Sequence, residues 1–288
     1  MESLNCKVCQ NPTFLCQCSR EWSDFEKLKG LGFENEKIKY TDLSISTMTV
    51  CFNFDQAINL RLLHTQLSNL VDTKYSPGSK KSKVSKKKGT DSFYNSFVIN
   101  LSMVDRSTSI FSNVNIFIFP NGKVKATGVK TVNTINVLVD ELIEIIISVE
   151  GSVNDPVSFK AENIKIEMIN SNFTIKPNRP GIGWCLRQQG LKDLLVNNYG
   201  LSATFSSLSR YPGINLKIPS QTVPGKQVSL LIFRSGSIII TGAKNPNDIF
   251  NSYNFITKIV SEHYSDLFYH DINQELKQTK KLNQRNTV

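Results

Sequence analysis

Residues 116–130 read IFIFPNGKVKATGVK, and residues 230–244 read LLIFRSGSIIITGAK. The two stretches align without a gap. Ile118, Phe119, Gly122, Thr127, Gly128 and Lys130 recur as Ile232, Phe233, Gly236, Thr241, Gly242 and Lys244, and several other positions exchange one apolar residue for another. Self-similarity of this kind marks a duplicated supersecondary unit. Each copy reads as a hairpin: an apolar strand, a tight Pro-Asn-Gly or Arg-Ser-Gly turn, and a second strand ending at Thr-Gly. Glycine supplies the backbone angles such a turn needs.

Outward from the hairpins, both flanks repeat as well. After the first come Val137, Leu138, Glu141, Leu142, Ile145 and Ile146, an aliphatic stripe at helical spacing. After the second, Asn245-Pro246 reads as a helix cap and first turn, followed by Ile249, Phe250, Tyr253, Ile256 and Val260. Before the first lie an expected strand (41–52), helix (55–70) and strand (92–104). Before the second lie an expected strand (162–169), helical stretch (180–196) and strand (209–218). Two copies of strand, helix, three strands and helix predict an α+β architecture with helices on one side of the sheet. The expected organisation is an N-terminal segment (1–35), a first repeat (36–150) with an insertion (76–90), a second repeat (158–270) and a polar, basic tail (271–288).

The 288 residues are 40% hydrophobic and include 17 Phe, enough for a full core in one large domain or two smaller ones. Charged residues make up 20%, unlike a disordered chain. The longest aliphatic segment, 137–149, is interrupted by Asp140, Glu141 and Glu144, so no membrane span is expected. The N-terminus lacks the layout of a signal peptide. Collagen, a membrane channel and a secreted disulfide scaffold are disfavoured. The net charge of +10 points to a polyanionic partner, nucleic acid before membrane. Lys80, Lys81, Lys83, Lys86, Lys87 and Lys88 supply more than half of that net charge. That run reads as a solvated loop, a DNA-clamping arm or a nuclear import signal.

Cys6, Cys9, Cys16 and Cys18 crowd the N-terminus, while Cys51 and Cys185 stand alone among apolar residues. Two close thiol pairs suit a four-thiolate zinc knuckle, although the second pair has only one intervening residue. The alternative is a short, reduced tail, since so small a segment cannot fold without a metal.

At the second hairpin the chain resembles the TATA-box-binding protein family, whose second repeat carries a phrase very like residues 228–244, VSLLIFRSGSIIITGAK. Residues 159–164 (FKAENI) resemble the opening of that repeat, and 211–214 (YPGI) resemble its Phe-Pro-Gly strand start. The helix after Thr-Gly-Ala-Lys falls at the same place. The resemblance covers about residues 38–268, is sharpest over 205–260 and weak over 53–92 and 170–205. The first 35 residues have no counterpart in the family core, a divergence that resembles the homologues of large DNA viruses.

The resemblance implies a saddle: a curved antiparallel sheet from two pseudo-repeats, helices on its convex face, the concave face on the DNA minor groove. Readout there is largely A·T against G·C. Aromatic side chains wedge between base steps; this family is itself a standard example, with unstacking costing about a few kcal/mol per step. Carried over by position, Phe119 and Phe233 are wedges before each turn. Tyr211 is the second repeat's other wedge. For the first repeat's other wedge the choice is Phe97, with Phe93 as its rival. Alternation puts Phe117 and Phe119 on one face and Ile116 and Ile118 on the other, without saying which face meets DNA. Asn163 matches an asparagine that contacts base acceptors; the first-repeat equivalent is Asp42 or Ser44, and an ionised aspartate cannot donate. Thr127, Thr241 and Ile239 match groove-facing positions. Lys125 and Lys165 stand where the family has Val, which predicts relaxed or altered sequence preference. Arg234, Lys123, Lys130, Lys244, Arg210 and Lys217 are candidate phosphate contacts.

The resemblance also implies the partners: A·T-rich promoter DNA, general transcription factors and RNA polymerase, with no membrane. The duplicated repeat supplies the two-fold arrangement within a monomer. The implied compartment is the nucleus, or a cytoplasmic viral factory or virion. Two rivals stand beside this reading. One is an enzyme, against which His64, His263 and His270 are scattered and no phosphate-cradling glycine loop is present. The other keeps the fold as a protein-interaction platform that has lost specific DNA binding.

Overall fold

The computed structural model describes residues 24–68, 72–75, 95–178, 183–207, 212–273 and 275–276. A short 3-10 turn (Asp24–Leu28) precedes β1 (Phe33–Glu34), β2 (Ile38–Tyr40) and β3 (Ser44–Phe54). Then come α1 (Leu60–Leu67), β4 (Thr73–Tyr75), β5 (Phe97–Asp105), β6 (Ile110–Ile118), β7 (Lys123–Val129) and α2 (Val132–Ile147). The remainder is β8 (Ala161–Pro177), β9 (Trp184–Leu186), α3 (Gln188–Asn197), β10 (Ser202–Thr204), β11 (Gly213–Pro219), β12 (Gln227–Phe233), β13 (Ser237–Ala243), α4 (Pro246–Glu262), α5 (Tyr264–Leu267) and β14 (Phe268–His270). Among the described residues no helix is long and apolar enough to cross a membrane.

The chain divides into two compact units. Of the described residues, one unit holds those within 47–167, the other those within 24–46 and from 168 onward. The repeat boundaries read from sequence therefore do not coincide with the units. Residues 36–46 of the first repeat belong with the second unit, and 158–167 of the second repeat belong with the first.

In the first unit β3, β7, β6, β5 and β4 form an antiparallel array in that order. Alternation sends Val114, Ile116, Ile118, Val124 and Ala126 to one fully buried face. Against it lies α2, burying Ile135, Leu138, Leu142 and Ile146. Each such aliphatic side chain is worth about 1.5–3 kcal/mol on burial. Thr131 caps α2, its Oγ1 accepting the Thr134 N–H at 3.2 Å. The expected helix over 55–70 is shorter and starts at Leu60. The end of β3 and the residues after it are tied to the hairpin turn instead, with Phe54 N–H on Gly122 O at 2.8 Å and Ile58 N–H on Pro120 O at 2.9 Å. Gly122 itself sits at φ +79°, where a Cβ would lie 2.6 Å from the Phe54 carbonyl oxygen.

In the second unit the order is β10, β11, β12, β13, β8, all antiparallel, and β2 pairs with the end of β8 (Tyr40 opposite Ile175). α4 buries Ile249, Tyr253, Ile256, Ile259 and Val260. It starts as expected, with Asn245 accepting the Asp248 N–H at 3.1 Å and Pro246 in the first turn. Residues 24–40, expected to lie largely in the N-terminal segment, pack into this unit. Phe25 and Leu28 are buried, and Tyr253 Oη donates to the Leu31 carbonyl. β8 runs far past its expected end at 169. Its inward positions stay buried (Ile169, Ser171, Phe173, Ile175), and the polar residues that hid the pattern, Asn170 and Asn172, occupy the opposite face. The expected helical stretch over 180–196 splits into β9 and α3. β9 pairs with β14 in a separate two-stranded ribbon.

Candidate nucleic-acid interface

In both units the face opposite the core carries most of the described side chains singled out from the sequence. Ile116 and Ile118 are buried, so Phe117 and Phe119 point the other way and stay half-exposed. Phe119 closes a four-residue turn, with Gly122 N–H on its carbonyl at 3.0 Å. The second unit repeats this. Ile232 is buried, Leu231 and Phe233 are half-exposed, and Gly236 N–H reaches Phe233 O at 2.9 Å. Gly213 is opposite Phe233, and the ring lies across it, about 3.1 Å from where a Cβ would stand.

Four predicted residues distant in sequence come together in the first unit. Phe119, Lys125, Asn163 and Lys165 line one cleft of about 300 Å³ with Cys51, Asn53, Lys123 and Glu167. Asn163 has φ +56°, a left-handed conformation that asparagine tolerates better than most residues, and its side chain is exposed. Thr127 Oγ1 donates to the Asn115 carbonyl at 3.3 Å. In the second unit Phe233 lines a cleft of about 290 Å³ with Phe205, Asn215 and Leu231. Ile239 and Thr241 lie half-exposed on the same face of β13, and Thr241 Oγ1 donates to Asn170 Oδ1 at 2.6 Å.

One expectation needs correction. Phe97 is 1% exposed and packs in the core, so it cannot meet a base step in this structure. The pairing explains why: Phe97 is opposite Ile118, a core position. Continuing that register puts Ser96 opposite Phe119, as Gly213 is opposite Phe233. The counterpart of Tyr211, two residues before Gly213, is then Tyr94. Arg234 is half-exposed, and its guanidinium pairs with the Asp271 carboxylate and donates to Tyr269 Oη at 2.9 Å. Asp42 accepts the Gly32 N–H at 2.7 Å, a fastening role, and Ser44 Oγ donates to Asn172 Oδ1 at 2.7 Å.

Tyr211, Arg210, Phe93, Tyr94, the lysines of 80–88 and the cluster Cys6, Cys9, Cys16 and Cys18 lie outside the described residues. Among the described residues no group of three or more His, Cys, Asp or Glu is placed to hold a metal. Sequence reasoning missed Leu231, Asn172 and Phe205. The first was legible, since it shares the alternation of Phe233. Asn172 was not, because β8 was read too short. Phe205 lies in a loop without periodicity.

The family model described as "Transcription factor TFIID (or TATA-binding protein, TBP)" matches residues 198–263. A "TATA-box-binding protein-like" protein of Acanthamoeba polyphaga mimivirus is 30% identical over 210 residues, 68% of this chain and 55% of that protein. The chain thus spans about half the length of that curated relative. Among solved structures, Methanococcus jannaschii TBP aligns at a TM-score of 0.49 with 18% identity, covering 76% of this chain and 98% of that one.

Proposed function

Because the chain belongs to the TATA-box-binding protein family, as a divergent member of the kind that large DNA viruses carry, we propose that it binds duplex DNA through the minor groove. In this reading it bends the duplex with wedge aromatics and recruits transcription proteins rather than catalysing a reaction. One observation carries the reading. Each unit sets a half-exposed phenylalanine, Phe119 or Phe233, at the end of an outward strand face before the same tight turn. A ring held there by a turn on one side and a paired strand on the other is pre-organised to enter a base step. Around Phe119 the outward lysines Lys123, Lys125 and Lys165 provide the cationic field that DNA requires. Recruitment has its own support in an exposed apolar end of the first unit, where Val104, Phe111 and Val137 are each about half exposed.

The test is end-to-end fluorescence energy transfer in a short labelled duplex, A·T-rich or G·C-rich, titrated at two salt concentrations. Transfer that rises with protein and weakens with salt is expected. Binding without increased transfer removes the wedge mechanism, and no binding by folded protein favours the protein-platform reading. The proposed zinc knuckle is checked separately by metal analysis: about one zinc per chain is expected, and less than about half would count against Cys6, Cys9, Cys16 and Cys18.

A further inference from the structure

The two units carry opposite chemistry at one matching place on their outward faces. In the second unit Lys217 of β11 is opposite Ser229 of β12, and Lys217 Nζ donates to Ser229 Oγ at 2.6 Å. Counted from the phenylalanine before each turn, the same place in the first unit holds Asn100 of β5 and Asn115 of β6. There Asn115 Nδ2 donates to Asn100 Oδ1 at 2.6 Å, and Asn100 Nδ2 donates to Asp72 Oδ2 at 2.7 Å. Asp72 is itself positioned by its backbone, whose carbonyl accepts the Asn100 N–H at 3.1 Å.

An ionised carboxylate only accepts hydrogen bonds. Asp72 therefore dictates that Asn100 turns its amide nitrogen toward it and its oxygen toward Asn115. Asn115 must then donate its nitrogen to Asn100. Its own Oδ1 is left as the terminal acceptor of the relay, with no donor on it among the described residues. Neighbouring amides are not fixed in this way. Asn113 meets Ser102, Asn170 meets Thr241 and Asn172 meets Ser44. A hydroxyl can give or take a proton, so those amides can turn over to suit what they meet.

Every base pair shows acceptors in the minor groove, and the one donor there is the exocyclic amine of guanine. A fixed acceptor matches that donor alone. We propose that Asn115 reads guanine, so that the half of the binding site under the first unit contains a G·C pair. The second unit, with Leu231, Ile239 and the Lys217 donor on its face, takes an A·T half. The inference rests on the minor-groove reading above and goes beyond relaxed preference: a duplex with unlike halves fixes the direction in which the protein sits on it.

Inosine tests this directly, because it is guanine without the minor-groove amine. Duplexes of A·T pairs carrying one G·C pair, stepped through each position, are compared with their inosine counterparts in competition binding to the full chain. At a position in one half, inosine is expected to weaken binding roughly five-fold, the effect of one hydrogen bond. Asn115→Leu is expected to abolish that difference while the duplex is still bound, and Asn100→Leu to do the same by releasing the Asn115 amide. Inosine binding as well as guanine at every position overturns the proposal, as does an inosine effect that survives Asn115→Leu. Loss of binding to every duplex by the unmodified chain refutes the minor-groove reading itself, and this proposal with it.

Discussion

Phe97 opens β5 and Phe119 directly follows β6, yet one step in the pleat separates their fates. Phe119 shares the outward face with Phe117, while Phe97 is opposite the core residue Ile118. Truncation should therefore act on different quantities. Phe119→Ala and Phe233→Ala are expected to reduce duplex bending in energy transfer and to leave the thermal midpoint nearly unchanged. Phe97→Ala should cost about 3–5 kcal/mol in urea unfolding, because it opens a cavity. The alternation around residues 116–119 was legible in the sequence, but which face was inward was not. The sequence offered 97, with 93 as its rival, and setting 97 aside required the cross-strand register. The Asp72–Asn100–Asn115 relay was equally hidden, since its members are brought together by pairing between strands and by the backbone of a segment far from the hairpin in sequence.

The elements are joined by buried polar clasps that periodicity does not reveal. Asp105, at the end of β5, is 4% exposed. It accepts from Thr131 Oγ1 at 2.6 Å, Ser107 Oγ at 2.7 Å and Ser107 N–H at 2.9 Å, which ties the β5–β6 hairpin to the cap of α2. Burial pushes this carboxyl up, but the hydrogen bonds from Thr131 and Ser107 outweigh it and hold it well below the usual carboxylate range. A depressed folded-state pKa contributes stability that is full above the unfolded value of about 3.9 and is lost as pH falls below it. Asp105→Asn is expected to cost about 2 kcal/mol at pH 7. The gap between variant and unmodified chain should shrink at pH 3, as read by urea midpoints. At the opposite end of the scale, burial first, and then the Tyr40 and Asp42 charges, push the Tyr253 hydroxyl up to about 12. Its bond to Leu31 is stabilising below the ordinary tyrosine pKa and is lost as pH rises through the raised value. Tyr253→Phe should loosen residues 24–40, seen as faster amide exchange there. The helix start at Asn245-Pro246 was readable because a cap is a local signal; the ribbon of β9 and β14 was not, since it joins three-residue strands from distant parts of the chain.

At the scale of the whole molecule, DNA binding by a chain of net charge +10 is expected to fall steeply with salt. Lys123 is exposed beside Phe119, and Lys123→Gln should lower the log–log salt slope by about 0.9 if it neutralises one phosphate. An unchanged slope would remove it from the phosphate contacts. The duplication that organises the chain was visible in two fifteen-residue phrases, and so was the α+β class. The division into these two compact units was not, because each includes the opening strand residues of the other repeat. That exchange governs the order of events during synthesis. The described residues of the first unit all fall between 47 and 167 of the sequence, so its sheet and α2 can close as soon as that stretch leaves the ribosome. β2 emerges earlier, but its partner at the end of β8, Ile175–Pro177, is made only after that stretch is complete. At translation rates of about 5–20 residues per second the wait is about 7–27 seconds. During that interval β2 is a strand without its partner in β8, and chaperone occupancy should be highest there.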